Sequence, residues 1–321
     1  MSSLNGVLPL YKPVGPTSHD MIDRVRKHLK KTKVGHSGTL DPFADGVLVL
    51  GIGKGTRILE FLKDRSKEYI MTMRFGLLTD TYDIEGEVVR DEQARIERAD
   101  LEDVLEQFRG EIEQVPPVYS ARKYKGRRLY ELAREGKIIR MPPRKVMIHN
   151  LEILGFDDSE KKQPELRIKA TVSAGTYLRS LAVDIGFQLN TCATAVQLTR
   201  TKNAGFEYHP DSGGGDCLVL GESEKTPPFA DYLVSMNDAL GFLDEISVTE
   251  EAKRLISNGN PVTVSMIKHR SDFKKGDIIR IKDETNQLLG LGKAERDSAF
   301  CDTLINHDRD ERIVKPRKVF Q

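Results

Sequence analysis

The chain has 321 residues, 31% of them charged and 38% hydrophobic, and a formal net charge of +1. That is enough for one large domain and a small one, and no apolar run approaches the ~18 residues that a membrane span needs. Met1-Ser2-Ser3-Leu4-Asn5 has no basic stretch followed by an apolar one, so it is not read as a secretion signal. Three cysteines, Cys192, Cys217 and Cys301, are odd in number and far apart, which points to a reducing cytoplasm and away from a disulfide framework or a cysteine zinc site.

Gly6 to Lys12 reads as a short strand, broken by Pro13-Val14-Gly15-Pro16. Thr17 then opens a helix: it can cap, Asp20 stands at the capping-box position, and Met21, Ile22, Val25 and Leu29 share one face. The helix runs out in Lys30-Lys31-Thr32-Lys33, which suits a helix C-terminus and equally suits phosphates.

Next comes the stretch around which the chain is organised, Val34 to Gly55. Its first half, from Gly35 to Pro42, is a loop dense in turn formers with one His and one Asp. Its second half, Gly46 to Gly53, is an apolar run that fits a strand buried on both faces or a buried helix segment. Asp41 precedes Pro42, whose ring stiffens the turn. A stiff polar loop beside a buried element is a place where catalytic groups are presented. An Asp before Pro is equally an ordinary turn, and His36 an ordinary loop histidine.

Thr56 to Leu62 begins a helix, and Lys67 to Gly76 alternates as a strand with Tyr69, Met71, Met73 and Phe75 on its buried face. Leu101, Val104, Leu105 and Phe108 mark a helix closed by Gly110. A short helix is expected over Leu129–Ala133, strands over 145–154 and 165–173, a helix after Gly175-Thr176-Tyr177, and a strand over 193–200. Residues 211–228, with three consecutive glycines, read as a linker or loose excursion. Beyond it lies a small unit: a helix at 250–257 and strands at 261–266, 277–282 and 287–295.

The net charge hides a strong asymmetry. Residues 1–40 carry seven Lys/Arg against two acids and residues 119–147 ten against two, while 77–116 carry four against thirteen. Basic blocks are the footprint of nucleic-acid binding, or else simply solvated faces. Gly51-Ile52-Gly53-Lys54-Gly55-Thr56 fits neither phosphate-loop template. The seven histidines show no metal spacing, and no cofactor is called for.

Several blocks together resemble one family. LYKPVGPTS, GHSGTLDPFADGVLVLGIGKGTR, KEYIMTMRFGLLTDTYDIEG, VPPVYSARKYKGRRLYELAREG and SAGTYLRSLAVDIG, in that order from Leu8 to about Lys202, are similar to the TruB family of bacterial tRNA pseudouridine synthases. The last 75 or so residues resemble, more faintly, the RNA-binding PUA domain. The resemblance implies an α+β fold, with a mixed, largely antiparallel central sheet flanked by helices and a small β-rich PUA-like domain. Residues 1–245 would be catalytic, with a thumb-like RNA-binding insertion at about 112–145, and 246–321 would bind RNA. It implies a monomer that isomerises uridine 55 in the T loop of tRNA without guide RNA, protein partner, metal or cofactor. Asp41 would be the catalytic carboxylate, Arg179 its cationic partner, Tyr69 the stacking aromatic that can take the C5 proton, and Leu198 an apolar wall of the uracil pocket. His36 would help flip the base and Lys12 would support the loop. Arg122, Lys123, Arg127 and Arg128 would meet phosphates.

Two positions depart from the family pattern. Tyr11 stands where many members have Asp, and Asp45 where a small or hydroxyl residue is usual; Asp45 is expected to point outward. The rivals are a guide-RNA-dependent relative, an RNA-folding protein without catalysis, and a hydrolase using Asp41 with Asp45.

Overall fold

The computed structural model describes residues 4–29, 31–120, 122–139, 141–159, 162–221 and 227–320. Its contacts divide into two compact units. One holds Leu8–Leu233, and the other Val234–Gln321 with Asn5–Val7.

In chain order the larger unit contains β1 (Gly6–Lys12, whose first two residues count with the other unit), α1 (Ser18–His28), β2 (Val34–His36), β3 (Asp45–Ile52), α2 (Leu59–Lys63), β4 (Lys67–Phe75), β5 (Leu77–Thr79), β6 (Val88–Asp91), α3 (Arg98–Phe108) and β7 (Gly110–Gln114). It continues with β8 (Lys123–Tyr124), β9 (Arg127–Arg128), α4 (Leu129–Arg134), β10 (Arg144–Asp157), β11 (Glu165–Val172), α5 (Leu178–Gln188) and β12 (Ala193–Asn203). β13 (Phe206–His209), β14 (Gly214–Gly215), β15 (Leu218–Val219) and α6 (Phe229–Tyr232) complete it.

One large sheet runs β15-β1-β3-β12-β4-β11-β10-β7. It is mixed: β15–β1 and β3–β12 are parallel, while β12–β4, β4–β11, β11–β10 and β10–β7 are antiparallel. The apolar run resolves as a strand, β3, buried along almost its whole length. Its even positions, Leu48, Leu50 and Ile52, pack with Leu8 and Leu10 of β1 against Met21, Ile22 and Val25 of α1. The alternation of the pleat makes this possible, because residues two apart share a face. A second cluster joins Met71, Met73 and Phe75 of β4, Ile168 and Ala170 of β11, and Leu101 and Leu105 of α3 to Leu181 and Ile185 of α5. Thr17 caps α1 as expected: its hydroxyl accepts from the Asp20 N–H at 3.1 Å and the Asp20 carboxylate accepts from the Thr17 N–H at 2.8 Å.

Two expectations change. Residues 34–36 form β2, antiparallel to the end of β3, so the Asp41 loop is the turn of a hairpin. The 211–228 segment carries β14 and β15, and β15 adds a parallel edge to the sheet beside β1, with Cys217 and Leu218 buried. Two-residue strands are too short to show a period, so polar flanks masked them. Glu222 to Thr226 of that segment lie outside the described residues.

The smaller unit holds α7 (Met236–Ala239), β16 (Glu245–Val248), α8 (Glu250–Ser257), β17 (Val262–Thr263), β18 (Ile267–Arg270), β19 (Ile278–Lys282), β20 (Leu288–Ala294), α9 (Phe300–Asn306) and β21 (Arg312–Val319). Its sheet runs β17-β21-β20-β19-β16-β18 over a core of Ile246, Val248, Ile256, Ile279, Ile281 and Val314. The strand expected over 261–266 is only Val262–Thr263, followed by a turn of 3-10 helix. No helix among the described residues is long and apolar enough to cross a membrane.

Candidate active site

The hairpin turn between β2 and β3 carries Asp41, and it is held largely by its own carbonyls. The Lys12 ammonium, fully buried at the end of β1, donates to the carbonyls of Pro13 at 2.9 Å, Pro42 at 3.3 Å and Ala44 at 2.6 Å. Burial lowers Lys12 to about 8, against the pull of Asp45 and Asp41. Arg200 of β12, 1% exposed, donates to Val47, Thr39 and Gly38 oxygens at 2.7, 3.3 and 3.2 Å. Ser18, the first residue of α1, locks Leu40 in both directions: its hydroxyl donates to the Leu40 carbonyl at 3.0 Å and accepts from the Leu40 N–H at 2.8 Å. Gly46 lets β3 and β12 close: its φ is +105°, and a Cβ there would run into the Arg200 backbone.

The side chain of Asp41 meets Arg179, from the first turn of α5. Arg179 Nε lies 2.9 Å from Asp41 Oδ2, an ion pair whose N–H is not aimed along the contact. The rest of the guanidinium is spent on fixing its own position. Nη1 donates to Asp83 Oδ2 at 3.0 Å and to the Thr81 carbonyl at 2.7 Å, and Nη2 donates to the Tyr119 carbonyl at 2.9 Å. Asp83 is 5% exposed, and its other oxygen accepts from the Thr81 hydroxyl at 2.7 Å and the Glu85 N–H at 3.1 Å. Burial raises the Asp83 pKa, with Arg179 and these hydrogen bonds opposing it. One buried cation thus bridges two carboxylates, only one of which, Asp41, keeps appreciable contact with solvent.

Two cavities meet at this pair. One, of about 360 Å³, is lined by Asp41, Arg179, Tyr69 and Leu198 with the basic side chains Arg122 and Arg144. Strand pairing explains the company. Tyr69 lies opposite Arg200 and Met71 opposite Leu198 across β4–β12, so Tyr69, Leu198 and Arg200 share one face of the sheet. Tyr69 and Leu198 are each 7% exposed, an apolar slot with a carboxylate at its mouth. The other cavity, of about 660 Å³, shares Asp41 and Arg179 and adds His36, Arg128, Asp83 and Glu85. Burial, then Arg200, lowers the pKa of His36, so its ring is held neutral.

Of the expected residues, Asp41, Tyr69, Arg179, Leu198 and Arg122 therefore come together in one cavity, and His36 and Arg128 in its neighbour. Lys12 lies beneath the loop and lines neither. Arg127 is exposed on β9, paired with Glu135, which also holds Lys137. Lys123 is on β8, and its side chain lies outside the described residues.

Asp45 points away from the site, as expected: it lines neither cavity, and half-buried at the start of β3 its Oδ2 accepts a 2.9 Å hydrogen bond from the Tyr11 hydroxyl. The two departures from the family pattern are thus partners, and Asp45 is no second carboxylate for Asp41.

Asp83, Arg200, Ser18 and Arg144 escaped sequence reasoning. Arg200 had one usable signal, a cation two residues from Leu198 on the inward face of a strand, where a charge needs a buried partner. Among the described residues no group of three or more His, Cys, Asp or Glu side chains is placed to hold a metal ion.

The TruB family pseudouridylate synthase N-terminal domain matches residues 26–178. The tRNA pseudouridine synthase B of Thermotoga maritima is 44% identical over 317 residues, 98% of each chain. That of Caldicellulosiruptor saccharolyticus is 43% identical over 280 residues, covering 87% of this chain and 88% of its own. Among solved structures, an H/ACA RNP bound to a substrate RNA containing 2′-deoxyuridine superposes with a TM-score of 0.73 at 25% identity, over 98% of this chain and 85% of that one. A Cbf5-Nop10-Gar1 complex gives 0.72 at 26% identity, over 98% and 85%.

Proposed function

The chain belongs to the TruB family of pseudouridylate synthases, and from that membership we propose that it isomerises uridine 55 in the T loop of tRNA to pseudouridine. The reaction breaks the N1–C1′ bond, turns the uracil and forms C5–C1′; the C5 proton leaves and N1 ends protonated. Atoms balance without a redox step.

The observation that carries the assignment of roles is the Asp41–Arg179 ion pair at the mouth of the Tyr69–Leu198 slot. Asp41 acts as base at C2′ or as nucleophile at C1′ or C6. Arg179 supplies the counter-charge in a site from which the bound base excludes water. Tyr69 offers a stacking face worth about 1–3 kcal/mol to an unstacked base, and its hydroxyl is the candidate acceptor for the C5 proton. Leu198 packs the ring. Extracting the base costs a few kcal/mol, and His36, neutral and half-buried beside the loop, fills the space the base leaves.

Arg122, Lys123, Arg127 and Arg128 belong to the 112–145 segment, which folds over the T stem-loop and contacts phosphates. Residues 1–245 act as the catalytic part and 246–321 as an RNA-binding part, although the second compact unit begins earlier, at Val234. The protein works alone, as a monomer in the cytoplasm. What favours this over guide-directed action is identity: 44% along nearly the whole length of a tRNA pseudouridine synthase B, against 25% to the H/ACA protein.

Asp41→Asn is the direct test. It should abolish release of label from C5-tritiated uridine in a T stem-loop while RNA binding persists; retained turnover overturns the assignment. Naked tRNA without partner proteins should be modified by the wild type, and failure there would return the guide-dependent reading.

A further inference from the structure

The 360 Å³ cavity is lopsided in charge. Lys63, Lys67, Arg122, Arg144, Arg179 and Arg200 line it, against one carboxylate, Asp41. Most of these cations are otherwise engaged. Arg179 is spent on Asp41 and Asp83. Arg200 donates to three loop carbonyls. Lys67 donates to the carbonyls of Lys63 and Arg65, both at 2.8 Å.

Arg122 and Arg144 are different. Arg122 Nη1 and Arg144 Nε and Nη2 are buried, with no hydrogen-bond partner among the described residues. Neither is in ion-pair contact with a described carboxylate. Ser37 and Ser120, also lining this cavity, have buried hydroxyl oxygens in the same condition.

Arg144 is nevertheless built into place. Its guanidinium lies 5.3 Å from the centroid of the Tyr177 ring. On another side it packs on bare Gly175, whose φ is +85° and where a Cβ would collide with the guanidinium. Burial lowers the Arg144 pKa, and the like charge of Arg122 lowers it further. A guanidinium held rigidly, partly desolvated and next to another cation carries a free-energy cost that an anion between them would offset. Planar N–H groups beside serine hydroxyls match the oxygens of a phosphate.

We propose that Arg144 and Arg122, with Ser37 and Ser120, form a seat for a phosphodiester of the RNA immediately adjoining the uridine in the Tyr69–Leu198 slot. This rests on the uridine-isomerising reading and deepens it. Base recognition in the slot and capture of the adjoining backbone then occur in one cavity, so the flipped nucleotide is gripped at both ends.

The test uses T stem-loop RNA in which the phosphodiester on the 5′ or the 3′ side of the target uridine is replaced by an uncharged methylphosphonate. With the wild-type protein one of the two replacements should raise Kd about 10- to 100-fold, the range for losing a charge-assisted hydrogen-bonded contact. Arg144→Gln should raise Kd for native RNA similarly, lower the slope of log Kd against log salt by about 0.7, and add little with the sensitive methylphosphonate RNA. Wild-type binding indifferent to both replacements overturns the seat, as does an Arg144→Gln effect that simply adds to that of the methylphosphonate. The wild-type arm needs no variant, so misfolding of Arg144→Gln leaves the question decidable. Release of C5 tritium from native RNA by the wild type is scored separately: its absence sinks the isomerase reading, while the binding cycle still decides the seat.

Discussion

The Tyr11 hydroxyl donates to Asp45 Oδ2 at 2.9 Å, tying the penultimate residue of β1 to the first residue of β3 across 34 positions of sequence. The Tyr11 ring also lies against Tyr208, with centroids 4.5 Å apart. Burial, then the Asp45 carboxylate, raises the Tyr11 pKa, so the phenol keeps its proton and stays a donor. Each residue looks anomalous alone; together they brace the base of the Asp41 loop.

A double-mutant cycle measures this brace. Tyr11→Phe and Asp45→Asn should each lower unfolding free energy by about 1–2 kcal/mol, and the pair should couple by about 1 kcal/mol, as expected for a hydrogen bond to a charged acceptor. Denaturant titration of the four proteins supplies the numbers. Strict additivity would mean the contact carries no energy of its own.

Lys12 predicts a pH limb. Its ammonium holds three loop carbonyls and its pKa is lowered to about 8. Above that pH the charge is lost and the clamp weakens, so single-turnover rate should fall between pH 8 and 10; Lys12→Arg should remove the limb. The sign for stability is opposite. The unfolded chain keeps that proton up to the ordinary lysine range and the folded chain releases it near 8, so this group makes folding stability rise across the same window. Lys12 therefore drives no drop in melting temperature there, and thermal melts at pH 7 and 9 separate loss of the clamp from unfolding.

Arg179 is held by four oxygens, those of Asp41, Asp83, Thr81 and Tyr119. A lysine keeps the charge and loses the planar fork. Arg179→Lys should reduce the single-turnover rate on the order of 100-fold or more, and Asp83→Asn about 10- to 100-fold, since both loosen the geometry at Asp41. RNA dissociation constants should shift only a few-fold. A parallel rise in Kd, measured by filter binding, would recast these residues as binding groups.

The two neighbouring arginines of β9 should differ. Arg127 is already paired with Glu135, whereas Arg128 lines the cavity that holds His36 and Asp41. Arg128→Glu should raise Kd for the T stem-loop more than Arg127→Glu, and flatten its salt dependence more. Equal effects would mean that long-range charge alone is being read.

Much of this architecture was legible before the fold was known. The Thr17–Asp20 cap, the buried β3 and the alternation of β4 are local patterns, and local patterns survive into structure when tertiary contacts agree with them. The Asp41–Arg179 pairing was legible through family resemblance, because 138 positions of chain separate the two. The rest was hidden for a common reason. Asp83 sits in an acidic run and Arg200 in a polar strand end, where a charge reads as solvated. Only folding shows that the one fills the far side of Arg179 and the other lies beneath the loop. Tyr11 and Asp45 were noticed singly, but nothing in a single chain links two oddities so far apart. β15 was invisible because its pairing partner, not its composition, makes it a strand.

The grip on the Asp41 turn comes from three side chains, Lys12, Ser18 and Arg200, and every group they grasp there is main chain. Any amino acid offers the same carbonyl. The turn's solvent-facing side chains can therefore drift without displacing the carboxylate, and much of the intolerance to substitution is displaced onto three positions outside the turn. In a saturation library scored for activity, residues 38 and 39 should look more permissive than 12, 18 and 200, the reverse of what proximity to the chemistry would suggest, while Leu40 and Ala44 stay constrained by the core they fill.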